Sequence, residues 1–286
     1  MSPSAGKGDG AEQNRLTARG RVKSLLDKYS LHATKGFGQN FLVDEAALNA
    51  VVTAAAIEPD DTVFEVGPGL GVLTRELAAR AAKVVSVELD SALLPLLDET
   101  LAGLENVELV NGDALTFDLT TLPSGSLLVA NLPFNVATPV IARALESLRF
   151  ERLVFLVQRE VAERLVAAPG TPPFGALSLL VAHFASGRIV RDVPPGAFMP
   201  PPKVTSSVVR LDVHESARPR PELFALIRRS FAHRRKTLKR NLAYAGYPPE
   251  MVNAAMAGAG LDDRVRAETL DLATFARLLD ALAEDA

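Results

Sequence analysis

The chain has 286 residues, 48% of them hydrophobic and 23% charged, with a net charge of −3 and no cysteine. This globular composition excludes a disulfide scaffold and a thiolate zinc site. The four histidines (His32, His183, His214, His233) lie at no metal-ligand spacing, so no metal is expected. The acidic balance argues against a basic surface overall but not against a local one. Seven basic residues, Arg228, Arg229, Arg234, Arg235, Lys236, Lys239 and Arg240, follow one another with no acid between them. The length suits one large domain and a small one. The sequence shows neither a signal peptide nor an apolar run of about 18 residues, so a soluble cytoplasmic protein without a membrane partner is expected.

Residues 1–20 are rich in Gly and polar residues and read as a disordered tail. Residues 21–29 suit a short helix. A loop follows, Lys35-Gly-Phe-Gly-Gln-Asn-Phe-Leu42, and Asp44 caps a helix running to about Ala56. From Thr62 strands and helices alternate. Strands are expected at 62–66, 83–87, 107–110, 127–130 and 153–157, with helices at 71–80, 91–101 and 138–148. That alternation predicts a parallel sheet covered on both faces. Two further β-rich runs, 188–193 and 204–213, are expected to complete it with antiparallel strands. Residues 216–221, with two prolines and two arginines, read as a linker. Beyond it only helices are expected, at 222–232, 236–245, 249–257 and 271–283. The domains are therefore placed at 21–215 and 216–286.

Glu65-Val-Gly67-Pro-Gly69-Leu-Gly71 follows a strand and opens a helix. Glycines let a ligand approach the backbone, and a helix N-terminus favours an anionic group. A tight turn without a ligand is the competing reading. A dinucleotide fingerprint would need a third glycine at position 72, where Val72 stands. Glu88 ends the next strand, where a carboxylate can accept both hydroxyls of a ribose. Asp113 lies just past the third strand, placed to accept from an adenine amine. Each acid alone could be a solvated strand end. Their succession along one sheet edge fits an adenosine-bearing ligand with a short anionic end, as in S-adenosylmethionine.

Asn131-Leu-Pro-Phe134 follows the fourth strand. An adenine amine is a weak nucleophile because its lone pair is delocalised into the ring. Two acceptors aimed at its hydrogens, the Asn131 side-chain oxygen and the Leu132 carbonyl, would localise that pair. Pro133 stiffens the turn, and Phe134 offers a face for stacking. No strong base is required, because the nitrogen becomes acidic once methylated. The competing reading is a plain strand-to-helix turn with a buried Phe.

These residues resemble the ribosomal RNA adenine dimethyltransferases over roughly Lys35 to the C-terminus. The match includes Gly38-Gln-Asn-Phe-Leu42, the 65–71 glycine loop, Glu88, Asp113, Asn131-Leu-Pro-Phe-Asn135, Gly196-Ala-Phe-Met-Pro-Pro-Pro-Lys-Val204 and Phe231-Ala-His-Arg-Arg-Lys-Thr-Leu238. The resemblance implies an α/β fold with a Rossmann-like class I methyltransferase sheet and a small all-helical C-terminal domain. It implies that Asn40 and Leu42 close over S-adenosylmethionine beside Gly67, Glu88, Asp113 and Asn131. It further implies that Phe134 and Phe198 sandwich a flipped target adenine. Phe134 stands where the family usually has tyrosine; stacking survives, a hydrogen bond from that hydroxyl does not. Within the family, 231–242 and the compact helical end look most like the small-subunit enzyme. That enzyme dimethylates two adjacent adenosines in the hairpin near the 3′ end of 16S rRNA, and a monomer acting on the immature subunit is expected. Large-subunit resistance methylases are the nearer alternative, and a non-enzymatic assembly factor the more distant one. A DNA or protein-amide methylase is disfavoured by Leu132 before the proline.

Two segments are expected to face RNA. Residues 197–203 form a stiff, proline-rich run holding Phe198, with a buried Phe198 as the competing reading. In the basic segment Phe224, Ile227, Phe231, Leu238 and Leu242 make a buried helical stripe. Arg234, Arg235 and Lys236, with Arg21, Lys23 and Lys35 as extensions, are then left for phosphates.

Overall fold

The computed structural model of the chain describes residues 16–31, 39–233 and 235–284. Lys35, Gly38, Arg234 and residues 1–15 of the expected tail lie outside them. The chain forms two compact units. One holds the residues up to Ala162 together with Arg188–Val213; the other holds Glu163–Gly187 and His214 onward.

In the first unit, α1 (Arg19–Lys28) buries Val22, Leu25 and Leu26, an i, i+3, i+4 stripe. It starts before the expected Arg21, and Leu16 already packs against the hydrophobic core, so residues 16–20 do not belong to a disordered tail. A two-residue strand β1 (Phe41–Leu42) precedes α2 (Glu45–Ala55). The Asp44 carboxylate accepts from the Ala47 N–H at 2.7 Å, a cap that contributes about 1 kcal/mol.

Strands and helices then alternate: β2 (Thr62–Val66), α3 (Val72–Ala78), β3 (Lys83–Glu88), α4 (Leu94–Thr100), β4 (Val107–Asn111), β5 (Ser126–Asn131), α5 (Ala137–Ser147) and β6 (Phe150–Gln158). After them come α6 (Arg159–Leu165), α7 (Ala176–Phe184), β7 (Ala185–Val193), β8 (Phe198–Met199) and β9 (Ser206–Val213). Seven strands pair in the order β4-β3-β2-β5-β6-β9-β7. The pairs from β4 to β6 are parallel, and β9 joins β6 antiparallel, with Val209 opposite Phe155. Central strands such as β5 are buried along nearly their whole length, as a sheet covered on both faces requires. The connections run outward from β2 to β4 and then restart at β5. The topological switch point therefore lies between β2 and β5, where such sheets bind ligands. Arg152 and Arg210 of the sheet donate to the carbonyls of Ala55 and Ala54, satisfying the last turn of α2.

The second unit contains α7 and α8 (Pro221–Ser230), α9 (Leu238–Tyr244), α10 (Pro249–Gly258) and α11 (Leu272–Glu284). Its core includes Phe224, Ile227, Leu238, Leu242, Met256 and Phe275. Phe231 rings meet those of Phe174 and Phe275 at 6.4 and 6.1 Å between centroids. Two expectations change here. Residues 163–187 group with these helices, although the sequence reading placed all of 21–215 in one domain. The reason is α7, whose apolar face packs on α8 and whose His183 and Phe184 rings contact Phe224. Residues 216–221 are also no free linker: Ala217 is buried, and the Arg218 carbonyl meets His183 Nε2 at 2.7 Å.

Candidate active site

A cleft opens at the C-terminal ends of β2, β3 and β5, lined by residues 39–42, 65–70, 87–89, 112–115 and 131–136. Asn40, Leu42, Gly67, Glu88, Asp113 and Asn131 to Phe134 all lie on its wall. They come together because each follows a strand of one sheet edge, apart from 39–42, which cross that edge from outside.

The 67–71 turn is held to β3 by the Gly67 N–H, which donates to the Val87 carbonyl at 2.9 Å. Gly71, at φ +81°, caps α3, and a Cβ there would stand 2.8 Å from Leu101 Cδ2. The positive φ calls for glycine at position 71, while the Leu101 methyl, at the far end of its side chain, would have to move for any larger residue.

Two carboxylates underlie this turn. Glu88 is buried; its oxygens accept from the Asp90 N–H at 2.9 Å and the Gly69 N–H at 3.4 Å. Burial raises its pKa against the opposing effect of those bonds. Glu65 is 1% exposed and accepts from Ser86 Oγ at 2.5 Å. Burial pushes its carboxyl up to about 7, with the Glu88 charge adding to the effect. A partly protonated carboxyl therefore sits beneath the loop at neutral pH.

Asp113 starts a turn in which its Oδ1 accepts from the Leu115 N–H at 2.8 Å. Arg143 of α5 clamps that turn by donating to the carbonyls of Ala114, at 3.1 Å, and Phe117. The Asn131 Nδ2 donates to the Asn40 carbonyl at 3.1 Å. Only the NH₂ end can face a carbonyl, so Asn131 Oδ1 is turned away from Asn40. Leu132 is buried, with its N–H on the Leu156 carbonyl, and Phe134 is half-buried on the cleft wall. The Pro133 carbonyl accepts from Val136 and Ala137, so the turn runs straight into α5.

Residues 39–42 form a strap across the loop. Gln39 Nε2 donates to Asp90 Oδ2 at 2.8 Å, Asn40 meets Asn131, and the Phe41 ring lies against Gly69. β1 pairs with β8, Leu42 opposite Phe198, and the Val43 N–H donates to the Ala197 carbonyl. That pairing corrects one expectation. Phe198 is 0% exposed, packed into the hydrophobic core with Leu42, and lies off the cleft wall. Its ring supports the strap and is not presented for stacking on a base.

The basic segment is corrected too. Residues 235–237 are a turn, and α9 starts at Leu238 instead of Lys236. Thr237 supplies the stop, its hydroxyl accepting from the Arg240 N–H at 3.4 Å. Buried Asn241 grips the turn: its Oδ1 accepts from the His233 N–H at 3.0 Å and its Nδ2 donates to the His233 carbonyl at 3.3 Å. Arg235 and Lys236 are exposed; Arg234 falls outside the described residues.

Gln39, Glu65, Asp90 and Arg143 carry no role in the sequence reading. Asp90 was within reach, since it stands two residues after Glu88. The others announce themselves only through contacts distant in sequence. Among the described residues, no group of three or more His, Cys, Asp or Glu could hold a metal, and no helix is long and apolar enough to cross a membrane.

A family model described as ribosomal RNA adenine dimethylase matches residues 31–284. A Deinococcus radiodurans protein, ribosomal RNA small subunit methyltransferase A, is 44% identical over 93% of this chain and 91% of its own length. The protein of that name from Geobacillus thermodenitrificans is 41% identical over 93% and 97%. Among solved structures, a dimethyladenosine transferase from Plasmodium falciparum superposes with a TM-score of 0.72 at 27% identity, covering 85% of this chain and 98% of that one. The 23S rRNA methyltransferase ErmE gives 0.64 at 28% identity, covering 85% and 100%.

Proposed function

The chain belongs to the ribosomal RNA adenine dimethylase family, and from that premise we propose that it uses S-adenosylmethionine to dimethylate the N6 amines of two adjacent adenosines in the 3′-terminal hairpin of 16S rRNA. The substrate is the immature small subunit, met by a monomer in the cytoplasm. The relatives named as small-subunit methyltransferases support this choice over the large subunit.

The observation that carries the chemistry is the Asn131 amide, oriented by the Asn40 carbonyl at 3.1 Å beside the half-buried Phe134. When bound, the donor supplies a methyl group on a sulfonium. The residues at the cleft fit it. Glu88 is a buried carboxylate at a strand end, suited to a ribose diol. The Asp113–Leu115 turn offers polar groups for an adenine edge, with exposed Leu89 as an apolar face beside it. Gly67 and the 39–42 strap accommodate the amino-acid end.

In the first transfer the target amine is held by Asn131 Oδ1 and the Leu132 carbonyl, each accepting one N–H, while Phe134 stacks on the ring; in the second the methylamine has one N–H left, for one of the two acceptors. Both acceptors draw the lone pair out of conjugation and toward the methyl group. With the donor bound, the amine nitrogen would take the methyl group, the sulfonium would leave as a neutral thioether, and the amine proton would pass to water. Placing the reactants in line contributes about 7–11 kcal/mol in such reactions, and flipping the base out costs a few kcal/mol, offset by stacking. The test is incubation of the protein with labelled donor and either small or large subunits from cells lacking these modifications. Label is expected in small-subunit RNA; label confined to large-subunit RNA or to neither would overturn the reading.

A further inference from the structure

The helical unit carries an aromatic pair with no part in the chemistry above. Tyr244, the last residue of α9, is 61% exposed. His233, exposed at the start of the basic turn, meets it edge to face, with ring centroids 5.1 Å apart and planes at 75°. A single exposed aromatic is ordinary; this pair differs in two respects. First, it is held in place, because buried Asn241 bonds both the N–H and the carbonyl of His233. A turn residue exposed to water has thereby lost its backbone freedom. Secondly, it lies within the densest positive charge of the chain. Arg235 and Lys236 continue the turn, Arg240 is exposed one helical turn before Tyr244, and Arg229 donates to Tyr247 Oη at 2.9 Å while lying 5.7 Å from the ring centroid.

Cations interleaved with exposed rings bind single-stranded nucleic acid. The phosphates take the charge, and a base takes the ring face that an edge-to-face pair leaves open. We infer that His233 and Tyr244 form a platform for an unpaired RNA base, with Arg235 and Lys236 on the adjoining phosphates. This is a second stacking site, carried by the helical unit and separate in role from Phe134. It rests on the reading of the substrate as RNA. A fully paired duplex offers no free base face there and would gain only the phosphate contacts.

The test uses the full chain and two synthetic RNAs of equal length, a hairpin with unpaired adenines in its loop and a perfect duplex. Tyr244→Ala is expected to weaken hairpin binding by about 5- to 150-fold, leaving duplex affinity, thermal stability and S-adenosylmethionine affinity unchanged. Tyr244→Phe keeps the ring and is expected to bind as wild type. The chain has three tyrosines and no tryptophan, so stacking is also read directly as quenching of tyrosine emission by the hairpin. That quenching is expected to shrink in Tyr244→Ala. Hairpin binding that is indifferent to Tyr244→Ala, or an equal loss on hairpin and duplex, would overturn the platform alone. Wild-type protein that binds neither RNA would overturn the substrate reading with it.

Discussion

Asn131 Nδ2 donates to the carbonyl of Asn40 at 3.1 Å across 91 positions of sequence. One hydrogen bond thus ties the 39–42 strap to Asn131 at the end of β5 and leaves the amide oxygen as the end free for the amine in the proposed reaction.

Asn131→Ala removes the acceptor and the tie together. Methyl transfer is expected to fall by about 10²- to 10³-fold, the cost of losing one oriented polar contact in a transition state. S-adenosylmethionine affinity should change far less, because Glu88 and the glycine turn remain. Single-turnover transfer and calorimetric binding check this. Loss of the folded state in place of activity would make the turn structural.

The two buried carboxylates predict a pH effect. Glu65 has its pKa raised from 4.5 to about 7 by burial. Between those values the folded protein keeps a proton that the unfolded chain has released, so stability falls as pH rises through that window. The penalty is complete above about pH 7 and amounts to at most about 3 kcal/mol. Glu65→Gln should therefore be more stable than wild type at pH 8 and equal to it near pH 4. A cationic donor favours the ionised carboxyl, so its binding near pH 7 should release a proton. Calorimetry in phosphate and Tris is expected to give different heats for wild type and equal heats for the variant.

Gly71→Ala places a methyl group 2.8 Å from Leu101 Cδ2 at φ +81°. It should cost about 1–3 kcal/mol of stability, visible in chemical denaturation, and should weaken donor binding by displacing the turn. An unchanged midpoint would mean that Leu101, just past α4, yields freely.

That the residues proposed for the donor line one cleft was legible because each, apart from those of the strap, lies at the end of a strand. Glu88, Asp113 and Asn131 each close a strand whose apolar run is plain, and parallel pairing brings those ends to one edge. What the sequence did not reveal depends on distant contacts. Gln39 finds Asp90 across 51 positions, and nothing in the strap itself names that partner. The helix α7 was missed although it carries the signal of one, with Leu177, Leu180, Val181 and Phe184 at i, i+3, i+4 and i+7; glycine and proline crowd its start and it runs directly into β7 without a break, which masks its bounds. The misplaced domain boundary follows from that omission. Phe198 was assigned to the base by resemblance; its pairing opposite Leu42 in β8 turns it into the core.

Charge removal tests the RNA surface independently. Arg235→Ala with Lys236→Ala should weaken small-subunit RNA binding and lower the slope of log affinity against log salt by about 2, one per phosphate contact. Donor affinity should stay as it is. An unaltered slope would place this turn away from RNA.

The central claim concerns the product. Small subunits from cells lacking the modification, treated with the protein and S-adenosylmethionine, can be digested and their nucleosides identified by mass. The account predicts N6,N6-dimethyladenosine at two adjacent positions of the 3′-terminal hairpin of 16S rRNA, formed about 10²- to 10³-fold more slowly with Asn131→Ala. Methyl groups on another base, or on adenines elsewhere in the RNA, would contradict it.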